Sequence, residues 1–360
     1  MTDLASENNN DIPKETKRLI VSSPGDGKSL ADCTIEIETI PTPTPKSGEV
    51  LIKVTAAPIN PSDYGSWYRS KPSSYPMPIG KEGCGIVVAT GWGASLRCPV
   101  GTKVGFICND AGQGSYSEYV TMNAVTGVFP MPDDVPLEDC ASFFVNPYTA
   151  VGILDTAAQA SSSKTIVHTA AASQLGIMIN KLAPQKDMTI INVVRREEQK
   201  EMLEKLGAKH IIVTSGEVET WKAELKAKVK ELGAMCAFDA VAGDMTGHLL
   251  DIMPNKGSVF VYGGLAGPAN GINPLDLIYR KKQLKGFFLT SWITSGGPLK
   301  MVPRMYSTGT LVNSGLKGPD GWCCSKFEDI AMTDVHEKVK TALQGSVTGK
   351  KLRIRFDTGE

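Results

Sequence analysis

The chain has 360 residues, 41% of them hydrophobic and 21% charged, the balance of an ordinary globular protein with room for two cored domains. Its 38 basic and 38 acidic side chains cancel, so charge makes no case for nucleic acid or an anionic membrane surface as the main partner. No uninterrupted apolar run approaches a bilayer span, and none of the 8 cysteines forms a C-x-x-C pair, which argues against a zinc-finger spacing or a disulfide framework.

In chain order, residues 1–17 are polar and are expected to form a disordered tail. They lack the apolar stretch of a secretory signal and the arginine-rich, acid-poor character of a transit peptide, so a cytoplasmic location is expected, with mitochondrial import left open. Short alternating strands over 34–40, 50–57, 85–91, 103–107, 114–121 and 127–130, broken by Gly and Pro, predict a compact, mostly β domain. From residue 147 onward, apolar strands at 165–168, 189–194, 210–213, 236–239, 258–262 and 283–288 alternate with helices, which predicts a parallel, doubly wound sheet. A helix around Pro303, a Gly/Pro turn at 317–321, a helix over 333–344 and a strand over 351–356 are expected to return to the first domain. The reading is an α/β chain with a coenzyme domain over 147–299 and a β domain built from 18–146 and 300–360.

The segment after the 165–168 strand carries the most chemistry. Ala171, Ser173 and Gly176 stand where a dinucleotide fingerprint has glycines, with Gln174 and Leu175 between them, so backbone amides and a helix N-terminus can approach a pyrophosphate. The next strand ends in Arg195 and Arg196. An NAD site usually has a carboxylate there for the ribose 2′-hydroxyl, whereas two cations would attract a 2′-phosphate, which points to NADPH. The bland alternatives are small residues that only pack a helix, and arginines that only solvate a helix start.

Further motifs are Ile59-Asn60-Pro61-Ser62-Asp63, Gly80-Lys81-Glu82-Gly83-Cys84-Gly85, Gly101-Thr102-Lys103-Val104, Gly114-Ser115-Tyr116-Ser117-Glu118-Tyr119 and Asn146-Pro147-Tyr148-Thr149-Ala150. In this order they resemble the medium-chain dehydrogenase/reductase superfamily, closest to its zinc-independent quinone oxidoreductase and 2-enoyl thioester reductase branch. The resemblance implies a GroES-like mostly β catalytic domain, a Rossmann coenzyme domain, NADPH and a homodimer. It also implies that Asn60 lies near the nicotinamide and that Asn146 and Thr149 meet the coenzyme at a helix start. By the same resemblance Tyr262, Gly263, Gly264 and Leu265 pass the nicotinamide ribose, Phe287, Phe288 and Leu289 bind the carboxamide, and Lys350 points at the coenzyme. Zinc-binding members have Cys and His ligands where this chain has Asn60, Lys81 and Asn146, donors unsuited to Zn²⁺, so no metal is expected.

Without a Lewis acid, reduction of an activated C=C fits better than alcohol oxidation. The expected function is therefore an NADPH-dependent reductase of a 2-enoyl thioester, enal or enone. The alternatives are NADPH:quinone reduction and a non-catalytic NADPH-binding structural or sensor protein. The similar thioester reductases place a tyrosine near the substrate carbonyl; here the candidates are Tyr68, then Tyr75, on what reads as a loop. Arg69, Lys71, Arg280, Lys281 and Lys282 could serve coenzyme A phosphates or simply be solvated. His168 and Asp239 read as structural, Asp239 capping a turn. The partner expected is a small-molecule substrate, with no nucleic acid and no membrane.

Overall fold

The computed structural model describes residues 12–108, 112–318, 320–344 and 350–356. The chain opens with β1 (Glu15–Ser23), β2 (Thr34–Pro41), β3 (Glu49–Pro58), α1 (Pro61–Trp67), β4 (Met77–Pro78), β5 (Glu82–Thr90), β6 (Lys103–Ile107), β7 (Tyr119–Asn123) and β8 (Val128–Pro130). Then follow α2 (Val145–Ala160), β9 (Thr165–Thr169), α3 (Gln174–Leu182), β10 (Thr189–Val194), α4 (Glu197–Lys205), β11 (His210–Val213), α5 (Val218–Leu232) and β12 (Cys236–Asp239). This middle part continues with α6 (Asp244–Ile252), β13 (Ser258–Val261), α7 (Pro274–Ile278), β14 (Gln283–Gly286), α8 (Leu289–Thr294) and α9 (Pro298–Gly315). The chain closes with β15 (Phe327–Ile330), α10 (Val335–Gln344) and β16 (Lys351–Arg355).

These elements form two compact units, one of Met1–Val145 with Leu316–Glu360 and one of Asn146–Gly315. In the first unit β3 is the central strand. Along one edge it pairs with β7 over its first residues and with β16 over its last, and along the other with β5, all antiparallel. A second sheet has the order β2-β1-β4. The returning segment shares this unit's core, where Val335, Val339, Leu352 and Ile354 pack with Leu19, Val21 and Trp67.

The second unit has one sheet of order β11-β10-β9-β12-β13-β14, with every neighbouring pair parallel. All of β9 is buried, as expected when helices cover both faces of a parallel sheet. Helix α5 shows how one side is covered: Trp221, Leu225 and Val229 recur every fourth residue on its buried face, and Gly233 ends it in the left-handed conformation at φ 64°.

Three expectations need correction. The polar tail expected over 1–17 ends earlier, since Glu15 and the two residues after it lie in β1, paired with the end of β2; residues 1–11 lie outside the described residues. Residues 300–315, expected in the β domain, form α9 of the second unit, which continues through Pro303. Tyr68, expected on a loop, ends a short helix, α1, which forms because Pro61 supplies a helix-compatible φ at the first position and the Asp63 carboxylate caps the Asn60 amide at 2.7 Å. Among the described residues no helix is long and apolar enough to cross a membrane.

Lys282, a candidate phosphate contact from its sequence, is instead an internal brace. Its buried Nζ lies 2.8 Å from Asp276 Oδ1 and donates to the carbonyls of Leu250 and Asp251, at the C-terminal end of α6, at 2.7 and 2.9 Å. Lys282→Met should destabilise the second unit by about 3 kcal/mol in urea unfolding, because it leaves two carbonyls unpaired and a buried carboxylate with only the half-exposed Arg280 as its cation. A loss under about 0.5 kcal/mol would mean the Asp276–Arg280 pair suffices.

Candidate functional site

Each unit contributes one centre. In the second, parallel strands end at a common edge, and the chain reverses its direction of winding between β9 and β12, where ligands bind in open α/β sheets. The turn after β9 begins with Ala170 at φ 51°, and the Ser173 hydroxyl caps α3 by accepting the Gly176 amide at 3.1 Å. A Cβ on Gly176 would fall 2.2 Å from the Ala171 carbonyl oxygen, so only glycine lets α3 start this close to the strand. Ala171, Gln174 and Leu175 are themselves buried, so what this turn can offer a ligand is mainly backbone.

Beside it, β10 runs into Arg195 and Arg196. Gln199 fixes their backbone by accepting the Arg195 amide at 2.9 Å and donating its own amide to the Arg196 carbonyl. The Arg195 side chain is exposed and has no ion-pair partner among the described residues; Arg196 is half-buried.

Asp239 fills the capping role expected of it. Its two oxygens accept from the Thr169 and Thr246 hydroxyls at 2.8 and 2.7 Å and from the amides of Val241 and Ala242. After β13, a Cβ on Gly263 would meet the Ala240 carbonyl oxygen at 2.7 Å, while Gly264 and Leu265 are exposed. Tyr262 reaches back to His168 Nε2 at 2.7 Å. Phe287 extends the ladder of β14 through its amide to Val261 and is buried, Phe288 is exposed, and Leu289 begins α8. Thus the residues expected at the coenzyme from Ala171 to Leu289 lie along one sheet edge. Asn146 and Thr149 fall in the first turns of α2.

The centre of the first unit is a buried charged cluster around Glu82. Its Oε1 accepts from Asn60 Nδ2 at 3.0 Å and lies 3.9 Å from Lys351 Nζ; its Oε2 accepts the amides of Phe144 and Val145 at 2.9 and 3.0 Å. Lys351 also donates to the Ser142 hydroxyl at 2.7 Å, and burial holds its ammonium below the usual lysine range. Asp63 is fully buried and pushed up to about 6 by desolvation, partly opposed by the Lys81 cation. Lys81 Nζ itself donates to the Ser62 carbonyl at 2.6 Å. Glu82 and Asp63 lie within the Gly80–Gly85 and Ile59–Asp63 motifs without an assigned role, and no motif signalled Lys351. Lys350, expected at the coenzyme, is exposed beside the buried Lys351.

The tyrosines separate clearly. Tyr75 Oη donates to the Trp67 carbonyl at 2.7 Å, closing the end of α1. Tyr68 caps α1, is half-buried, carries the Arg69 guanidinium 4.8 Å over its ring, and has no hydrogen bond from its hydroxyl among the described residues. Among the described residues no group of three or more His, Cys, Asp or Glu side chains could hold a metal ion. Six of the eight cysteines are buried.

Residues 46–133 match the alcohol dehydrogenase GroES-like domain, and residues 175–301 match the zinc-binding dehydrogenase domain. The mitochondrial enoyl-[acyl-carrier-protein] reductase of Xenopus tropicalis is 31% identical over 69% of this chain and 71% of its own. The chain belongs to the medium-chain dehydrogenase/reductase superfamily. Mouse prostaglandin reductase-3 is 28% identical over 94% of this chain and 89% of its own. A Mesorhizobium loti protein described as an NADPH:quinone reductase superposes with a TM-score of 0.79, at 28% identity, over 96% of this chain and 99% of its own. The two units are accordingly the GroES-like and Rossmann-like domains of this superfamily.

Gly176→Ala should cost about 1–3 kcal/mol and abolish whatever ligand the turn holds, since the clash is with backbone; an unchanged melting temperature would show that α3 can shift. Asp63 gives a pH signature. The folded chain keeps the Asp63 proton to about pH 6 while an unfolded aspartate loses it near 3.8, so the unfolded state binds fewer protons in between. Stability should therefore fall by up to about 3 kcal/mol from pH 4 to pH 6 on this account, and Asp63→Asn should flatten that slope. An identical slope in the variant would exclude Asp63 as its source.

Proposed function

We propose that the chain is an NADPH-dependent reductase of an activated C=C, in a 2-enoyl thioester, enal or enone, working without a metal. The observation that carries the coenzyme choice is Arg195, an exposed guanidinium at the end of β10, the strand next to the phosphate-cradling turn. The residues fit the group. The Gly176 and Gly263 positions leave no room for a side chain, α3 presents its N-terminus, and Arg195 and Arg196 can clamp a 2′-phosphate where a carboxylate would have selected NAD. When bound, NADPH supplies the hydride.

The chain's own residues supply the rest. Tyr68, with its hydroxyl uncommitted, is the donor assigned to the substrate carbonyl, and Tyr75 is disfavoured because its hydroxyl holds Trp67. The zinc-free reading rests on donor chemistry: Asn60 gives its amide to Glu82, and the Lys81 ammonium stands beside it in sequence, a set unsuited to Zn²⁺. The names of the Xenopus and mouse relatives support the C=C reading; that of the Mesorhizobium protein supports quinone reduction as the second reading. A second copy of the chain is the expected partner, paired at the β14 edge, where Leu275, Ile278, Tyr279 and Phe288 are exposed.

NADPH consumption with crotonyl-CoA, a short enal and a quinone, each repeated with NADH, tests the reading directly. Turnover of crotonyl-CoA or the enal ahead of the quinone is expected. Coenzyme binding without turnover of any acceptor would favour the non-catalytic alternative. Arg195→Ala with Arg196→Ala should weaken NADPH by tenfold or more, about 1.5–3 kcal/mol, and spare NADH; equal loss of both would remove the 2′-phosphate assignment. Tyr68→Phe should lower kcat by about a hundredfold with little change in coenzyme affinity, whereas wild-type kcat would pass the role to another donor.

A further inference from the structure

Among the described residues of the first unit, Trp92 and Leu96 are the most exposed large apolar side chains, at 87% and 93%. They stand in the connection from β5 to β6, which makes one turn of 3-10 helix over Ala94–Leu96. Ala94 and Cys98, each two residues further on, are buried and pack with Val50, Val87 and Val104, so Trp92 and Leu96 occupy the outer side of the connection. Backbone bonds set two more turns beside it. The Gly48 amide, between β2 and β3, donates to the Trp92 carbonyl, and the Gly48 carbonyl accepts the Ala124 amide, between β7 and β8, both at 2.9 Å. That last turn carries Val125, 67% exposed.

Three turns thus gather apolar side chains at one end of the unit. Across residues 44–48, 91–101 and 123–127 the only charged side chains are Lys46 and Arg97, both exposed. The next acid in the chain, Glu49, turns its carboxylate back onto the Lys46 amide at 2.9 Å. Three such side chains fall short of the roughly 800 Å² per partner of a stable protein interface. They also stand among the exposed Ser47, Ser95, Asn123 and Thr126, so no continuous apolar face is offered to a second copy. A bilayer surface asks for neither shape nor area. An indole seats at headgroup level, aliphatic side chains reach the acyl boundary, and Lys and Arg hold anionic headgroups.

We propose that this end of the first unit is a peripheral membrane-docking surface, which inserts Trp92, Leu96 and Val125 into the interface of a bilayer containing anionic lipid while Lys46 and Arg97 bind its headgroups. The zero net charge of the whole chain does not oppose this, because charges more than about 10 Å away are screened at physiological salt. The docking does not depend on the coenzyme reading, and it places the chain where apolar acceptors such as a quinone or a long-chain enal partition.

The test is flotation of the full-length protein with vesicles of phosphatidylcholine alone and of equal parts phosphatidylcholine and phosphatidylserine, followed by tryptophan fluorescence with acyl-brominated lipid. The other four tryptophans, Trp67, Trp221, Trp292 and Trp322, are buried, so lipid bromine should quench Trp92 alone. Wild-type protein should float with the anionic vesicles, less so as salt is raised, and lose part of its emission there. Lys46→Glu with Arg97→Glu should weaken binding by about tenfold or more, whereas Lys226→Glu with Lys230→Glu, the same charge change on exposed lysines of α5, should bind as wild type. Trp92→Ser should weaken binding by about tenfold at an unchanged melting temperature, and Trp92→Phe should float yet lose the quenching. No flotation with anionic vesicles, flotation without quenching, or equal loss in the two charge-reversed variants would overturn the proposal. A dimer in sedimentation that Trp92→Ser dissolves would give the face to a second copy and overturn it equally.

Discussion

The buried carboxylate of Glu82 is the contact on which the first unit's centre depends. It joins the start of α1 through Asn60, the amides of Phe144 and Val145, and the last strand through Lys351, three segments far apart in sequence. A carboxylate taken out of water at this depth costs several kcal/mol unless its lone pairs are filled, and here two amides, a carboxamide and a nearby ammonium fill them. The cluster therefore specifies where the N- and C-terminal parts of this unit meet more than it adds net stability. Lys351, the first residue of β16, is buried against this carboxylate, whereas Lys350, just before the strand, is exposed.

The second unit solves a different problem with backbone alone. A parallel sheet gathers its strand ends along one edge, and the first turn after β9 brings a helix start to that edge at the closest approach a glycine permits. Asp239 stabilises the neighbouring turn from beneath by accepting four hydrogen bonds, two from threonines on β9 and α6. With the carboxylate thus committed inward, the start of α3 and the exposed guanidinium of Arg195 stand at that edge. That surface is electrostatically suited to an anionic ligand.

Both centres show residues whose chemistry is set by partners distant in sequence. Tyr68 and Tyr75 are seven residues apart by number and chemically equivalent, yet one hydroxyl is spent on the Trp67 carbonyl and the other is not. Lys281 and Lys282 look interchangeable in the chain, but Lys282 is buried on Asp276 and the end of α6, while Lys281 takes a left-handed φ of 54° on the surface. Arg195 and Lys81 keep the positions their motifs gave them, because each lies next to the strand end that defines its motif.

Periodicity and punctuation were enough to read the strands of the second unit, their alternation with helices, and the turn between β9 and α3, since these depend on local patterns of apolar, small and capping residues. The same local signals gave β2, β3, β6 and β8 to within a residue, while the strands expected over 85–91 and 114–121 are β5, beginning at Glu82, and β7, beginning at Tyr119; ordered motifs gave the superfamily. They misread the first strand as tail, because Glu15-Thr16-Lys17 is polar and gains its order from pairing with β2. They misread α9 as part of the other unit, since sequence cannot say which of two cores an amphipathic helix will join. Sequence thus determined the fold class and the type of ligand edge, both consequences of local pattern. Which lysine is buried, which tyrosine is uncommitted and how His168 holds Tyr262 were decided only by tertiary structure, because a hydrogen bond between residues brought together from distant parts of the chain leaves no period in the sequence that encodes it.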